Sequence, residues 1–117
     1  MAETNDDVHA FLPLHPLEFR ILLVLLGGAS HGYRIVKEIE AREGRERVWP
    51  ANLYRRIRDL LASGLIEEAP APRGEAADGR RSYVRVTNLG RRVARAEARR
   101  LEALVADARA RRLLPNR

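Results

Sequence analysis

Ten consecutive residues, L-E-F-R-I-L-L-V-L-L from Leu17 to Leu26, hold only Glu18 and Arg20 as polar side chains. A surface helix is apolar along one stripe, whereas a segment apolar nearly all round must be covered on every side. Leu17 to Leu26 is therefore expected to be the central core helix, opened by Pro16 and ended by Gly27-Gly28. A chain of 117 residues has room for one such core, with one appended element at most.

The segments that follow have the periods of elements that would cover it. Ser30 can cap a second helix whose apolar positions Ile35, Val36 and Ile39 share a face before Gly44 closes it. A third helix starts at Pro50, where a first-turn proline loses no hydrogen bond, and stops before Gly64. Its residues Leu53, Ile57, Leu60 and Leu61 fall at i, i+4, i+7 and i+8, one apolar stripe. The other side carries Asn52, Arg55, Arg56 and Arg58, with Asp59 as the counterweight. Two short helices leading to a third with a cationic outer face is the helix-turn-helix order, the third being the recognition helix. Taken alone, such arginines could also be a merely solvated surface.

Beyond Gly64 the period changes to that of strands. L-I-E-E-A and R-S-Y-V-R-V are two short candidates, joined by a loop rich in Pro, Gly and Ala with basic residues Arg73, Arg80 and Arg81. A hairpin of this kind beside a helix-turn-helix has the form of a wing. Thr87 or Asn88 then caps a last helix of roughly 25 residues, about 38 Å long, with an apolar stripe of Leu89, Val93, Ala96, Leu101, Leu104 and Ala108. So small a domain cannot cover a stripe of that length, and part of it is expected to meet a partner helix. The expected architecture is mainly α (α+β). It comprises a mobile arm over residues 1–11, a winged helix-turn-helix over 12–86 with a two-stranded wing, and a long C-terminal dimerisation helix over 87–113.

Charge supports a polyanionic partner. The net charge of +6 is spread unevenly, −3 over residues 1–30, +3 over 31–86 and +6 over 87–117, and neutralising phosphates releases condensed counterions. One lysine stands against 21 arginines, a bias that weakens charge as evidence on its own. Other classes find no support. There is no cysteine for a disulfide or a cysteine zinc site. His9, His15 and His31 are scattered without metal-ligand spacing, so neither metal nor cofactor is expected. No serine sits in a G-x-S-x-G turn, and Glu67 and Glu68, adjacent on a strand, point to opposite faces. No apolar run approaches the roughly 20 residues of a membrane span, and the acidic N-terminus does not resemble a signal peptide. A cytoplasmic non-enzyme is the default expectation.

His31-Gly32-Tyr33, Pro50-Ala51-Asn52-Leu53-Tyr54, Gly64-Leu65-Ile66, Tyr83 and Thr87 to Gly90 together resemble the PadR family of winged-helix transcriptional regulators. The resemblance runs over about residues 12–112 and implies a homodimer, held by its last helix, that binds inverted-repeat operators as a repressor. It implies that Tyr54 approaches DNA phosphate and that Gly32 permits close packing. Asn52 takes the place of a usual Thr and is equally able to bond a base edge or phosphate. Ala51, Arg55, Trp49 and His15 depart from the pattern; they bear on the angle of the recognition helix and leave the fold intact. The residues expected to contact double-stranded DNA are Tyr33, Asn52, Tyr54, Arg55, Arg56, Arg58, Arg80 and Arg81, with Asn52 and Arg56 as the base readers. Trp49 and Phe19 are expected to fill the core or line a small-molecule pocket near the dimer axis, and no inducer can be named. The competing reading is a winged-helix protein-interaction module that does not bind DNA.

Overall fold

The computed structural model describes residues 8–43, 48–74 and 82–115. The elements follow as α1 (Pro16–Leu25), β1 (Ser30–His31), α2 (Gly32–Glu43), α3 (Pro50–Ser63), β2 (Ile66–Ala69), β3 (Tyr83–Val86) and α4 (Asn88–Ala110). α1 lies at the centre, packed against α2, α3, α4 and β3. Its Ile21, Leu22 and Leu25 are fully buried with Ile35 of α2, Leu53 and Leu60 of α3, Leu65, Ile66 and Val93. Burying each such side chain is worth about 1.5–3 kcal/mol, which is why the other elements gather on this helix. Burial is nevertheless one-sided. Leu23 is 49% exposed and Leu26 40%, and Phe19 and Val24 are only partly covered. The expectation of burial nearly all round is corrected accordingly: one face of α1 is left partly bare by the described residues.

Local signals set the helix ends. His15, standing where a hydroxyl cap is usual, accepts the Leu17 N–H on its Nδ1 at 3.0 Å and caps α1. At α3 the expected pair is present, Pro50 in the first turn and Gly64 left-handed at φ 81°. Thr87 caps α4 by accepting the Gly90 N–H at 3.0 Å. The second helix differs. Ser30, expected to be its cap, lies in β1 with its Oγ buried and unpartnered, and His31 Nδ1 accepts the Arg34 N–H at 3.3 Å instead.

The hairpin of β2 and β3 is antiparallel, with Ile66 opposite Val86 and Ala69 opposite Tyr83. β1 pairs with the free edge of β3, Ser30 opposite Val84 and His31 opposite Tyr83, so the sheet has three strands in the order β1-β3-β2. Two residues are too few for a periodic signal, so this strand is invisible to pattern reading. It ties the wing root to the start of α2, where the His31 ring meets Tyr83 edge-on at 5.1 Å. This is a winged helix-turn-helix. Of the segment expected to be a mobile arm, residues 1–7 lie outside the described residues, whereas Val8 is buried and Phe11 packs on the core.

One junction joins the wing to α4. The Thr87 N–H and hydroxyl both donate to the Leu65 carbonyl, and the hydroxyl also reaches the Gly64 carbonyl at 2.7 Å. A Cβ on Gly90 would stand 2.1 Å from the Leu65 carbonyl oxygen, a backbone atom that cannot rotate away. Gly90→Ala is thus expected to cost about 3 kcal/mol, at the upper end for overpacking. Gly27→Ala, whose Cβ meets nothing nearer than 3.5 Å, is the near-neutral control. Urea unfolding of the two variants measures the difference.

Candidate nucleic-acid interface

α3 presents its polar face because Leu53, Ile57 and Leu60 are held in the core. Asn52, Arg55 and Arg58 are exposed, and Arg55 Nη2 reaches Asn52 Oδ1 at 3.5 Å. Among the described residues neither Arg55 nor Arg58 is paired with a carboxylate. Trp49, the residue before the helix, makes no side-chain cap, so the first-turn N–H groups of α3 keep their donor capacity at the positive end of the helix dipole.

The start of α2 adjoins this face. The Tyr54 ring lies directly on Gly32, where any Cβ would stand 2.4 Å from it. Gly32 therefore lets the two helices of the motif meet as expected. Tyr33 is exposed beside it, with Lys37 Nζ 5.4 Å from its ring centre. Lys37 was not singled out from sequence, although its spacing of four residues from Tyr33 places the pair on one helix face.

Arg56 departs from expectation. At about 100° per residue it sits only about 40° around the helix from buried Leu60. Its side chain is 23% exposed, and Nη1 lies 3.3 Å from Glu18 Oε2 of α1 and 4.0 Å from Asp59 Oδ2. The arginine expected to read bases is turned inward and neutralised. On the wing, Arg80 and Arg81 lie outside the described residues. Arg73 is exposed, and Arg85 of β3 is bound to Glu67 of β2 at 2.8 Å. Both Glu67 and Glu68 are exposed.

The stripe expected to dimerise divides in two. Val93 is fully buried in the chain's own core, and Leu89 and Ala96 pack on it. Leu101 and Ala108 are half-buried, whereas Leu104 is 52% exposed and Val105, one residue on, is also bare. Between α1, α2 and α4 opens a groove of about 730 Å³ walled by Phe19, Leu23, Val24, Ile39, Leu101 and Glu97. Phe19 packs against the core and also walls this groove. Trp49 does not fill the core, being 63% exposed before α3.

Glu97, absent from the expected site residues, is the buried acid of this region. Only 2% exposed, it holds Arg100 in a bidentate pair at 2.8 Å on each oxygen. That hydrogen-bonded pair, and less strongly the Leu14 backbone N–H, lowers its carboxyl below the ordinary 4.5 against the opposing effect of burial. Among the described residues no group of three His, Asp or Glu could hold a metal, and no helix is long and apolar enough to cross a membrane.

Three helices on an apolar core, a wing, and an exposed cationic face on the third helix define a winged-helix protein of the type found among transcriptional regulators. The chain belongs to the PadR-like family of transcriptional regulators, whose profile its residues 21–96 match. The family consists of regulators, not enzymes. Comparison with curated proteins finds no match. Among solved structures, a transcriptional regulator from Clostridium thermocellum superposes with a TM-score of 0.68 at 20% identity, over 97% of this chain and all of that one. RosR of H. salinarum gives 0.61 at 27% identity, over 86% of this chain and 97% of that one. Bacillus subtilis PadR, solved with operator DNA, gives 0.58 at 19% identity, over 70% of this chain and 46% of that one.

The lowered Glu97 pKa has a defined signature in stability. A group depressed on folding stabilises fully above its unfolded value, near 4.5, and loses that contribution as pH falls through the lower folded value. Glu97→Gln should lower stability at pH 7 by about 1–3 kcal/mol and make the loss below pH ~4.5 shallower than in the parent chain. Urea midpoints between pH 7 and pH 3 check both effects.

Proposed function

We propose that the chain is a sequence-specific DNA-binding transcriptional regulator, a homodimeric repressor that binds an inverted-repeat operator. The observation that carries this reading is the outer face of α3, where Asn52, Arg55 and Arg58 are exposed and the two arginines have no carboxylate partner among the described residues. In this reading α3 enters the major groove with its N-terminal half against base edges. Asn52 suits adenine, and Arg55 or Arg58 suits guanine or phosphate. Tyr33, Tyr54 and the wing arginines Arg80 and Arg81 bear on the sugar–phosphate backbone, positioning more than specifying. The operator complex of Bacillus subtilis PadR supports the same use of the fold. A cytoplasmic location goes with this role.

A second copy is the proposed cover for the bare face. Leu104 and Val105 on α4 and Leu23 on α1 are large apolar side chains left in water by a single chain. A two-fold contact would bury them reciprocally and present both α3 helices to one side of the duplex.

Selection of binding sites from random DNA, followed by anisotropy titration at physiological salt with competitor, tests the DNA reading. A palindrome with half-sites about 34–36 Å apart, or a multiple, is expected. Asn52→Ala and Arg55→Ala should each weaken specific binding by about 1–3 kcal/mol per base contact. Tyr54→Phe should weaken specific and non-specific binding together. Absence of any selected sequence would favour a protein-interaction module instead. For the dimer, Leu104→Arg puts a charge into the apolar contact, and light scattering should show a monomer with operator affinity lost. A variant that stays dimeric would remove the exposed half of α4 from the contact.

A further inference from the structure

Glu18 and Arg56 lie 38 residues apart in sequence, one in the first turn of α1 and the other in the second turn of α3. Their contact at 3.3 Å is largely withdrawn from water, the side chains being 15% and 23% exposed. Attraction there is screened far less than at an open surface. Asp59 Oδ2 lies 4.0 Å from the same nitrogen, Nη1. One cation is thus held between two carboxylates, and Glu18 is itself favoured near the positive end of the α1 dipole.

Arg56 also follows Asn52 by one helical turn, about 40° around α3. A guanidinium released from Glu18 would emerge beside the proposed base-reading asparagine. Two destinations compete for it, the α1 carboxylate and the DNA, and the pairing favours the first. We infer that Glu18 is a specificity-determining residue that acts through Arg56. It withholds from the DNA a cation that the helix face would otherwise present, and so sets both the charge and the base preference of the recognition surface. The inference rests on the DNA-binding reading above. It assigns the sequence preference partly to a residue of α1 that need not touch DNA.

Glu18→Gln keeps the side chain's size and removes the charge that retains Arg56. With the full-length chain on its selected DNA, Glu18→Gln should steepen the dependence of log affinity on log salt by roughly 0.9 per half-site, one added phosphate contact. Alternatively it should add a guanine preference at one position of each half-site, the base that a bidentate arginine reads. Glu18→Gln combined with Arg56→Met removes a pair that contributes no net charge, and should return both the slope and the selected site to those of the parent chain. A role confined to folding would lower the unfolding midpoint of both variants and leave slope and site unchanged, which overturns the inference. A double variant with a slope flatter than the parent's would show that Arg56 already contacts DNA, and overturns it too. If Glu18→Gln alone fails to fold, Glu18→Asp, whose shorter side chain loosens the hold on Arg56, takes the same slope and site-selection measurements, and values equal to the parent's overturn the inference. Failure of the parent chain to select any DNA would instead bring down the DNA-binding reading itself, and this inference with it.

Discussion

The burial of Ile21, Leu22 and Leu25 along one side of α1 is the constraint on which the rest of the molecule depends. α2, α3, α4 and β3 all pack against this helix, so their mutual positions are set through it and not by direct contact alone. α3 inherits its roll from the same arrangement. Leu53, Ile57 and Leu60 must face α1 and its neighbours, which turns Asn52, Arg55 and Arg58 to water. The opposite consequence falls on Leu23, Val24 and Phe19, which face a groove instead of a neighbour. A chain of this size makes one layer around its central helix and leaves Leu23 exposed on the other side.

Part of the charge in this arginine-rich chain is paired within the fold. Among the described residues Arg56 faces Glu18, Arg85 faces Glu67 and Arg100 faces Glu97. These three pairs differ in worth. The exposed Arg85–Glu67 pair is screened and contributes little, whereas removing one member of the Glu97 pair would strand a buried charge. The cations left to a polyanion are therefore fewer than the composition suggests; among the described residues the exposed ones include Arg55 and Arg58 on α3 and Arg91, Arg95 and Arg99 along α4. A pI near 10.9 describes the whole chain and says nothing of this selection.

α4 serves two surroundings along one continuous helix. Its first half closes the core through Val93 and Ala94 and carries the Gly90 contact with the Leu65 carbonyl. Its second half, beyond Leu101, is largely exposed, Leu104 and Val105 included. Glu97 lies at the change-over, its carboxylate buried and fixed by Arg100. One continuous helix, Asn88–Ala110, thus carries both the core-facing and the exposed segment.

What the amino-acid sequence determined by itself is whatever depends on near neighbours in the chain. Pro50 and Gly64 bound α3, Thr87 starts α4, and the spacing of Leu53, Ile57 and Leu60 marks the buried side, because caps and helical period are local properties. The motifs around His31-Gly32-Tyr33 and Asn52-Leu53-Tyr54 pointed in the same way to the family that residues 21–96 match. Tertiary structure decided everything that turns on what stands opposite. The two-residue β1 exists because β3 offers it an edge. Leu89, Val93 and Ala96 joined the core because α1 lies beneath them, while Leu104, with the same helical spacing, did not. Arg56 occupies the seam between the apolar and polar sides of α3, where helical period assigns it to neither. A carboxylate on another helix, 38 residues away in the chain, drew it inward.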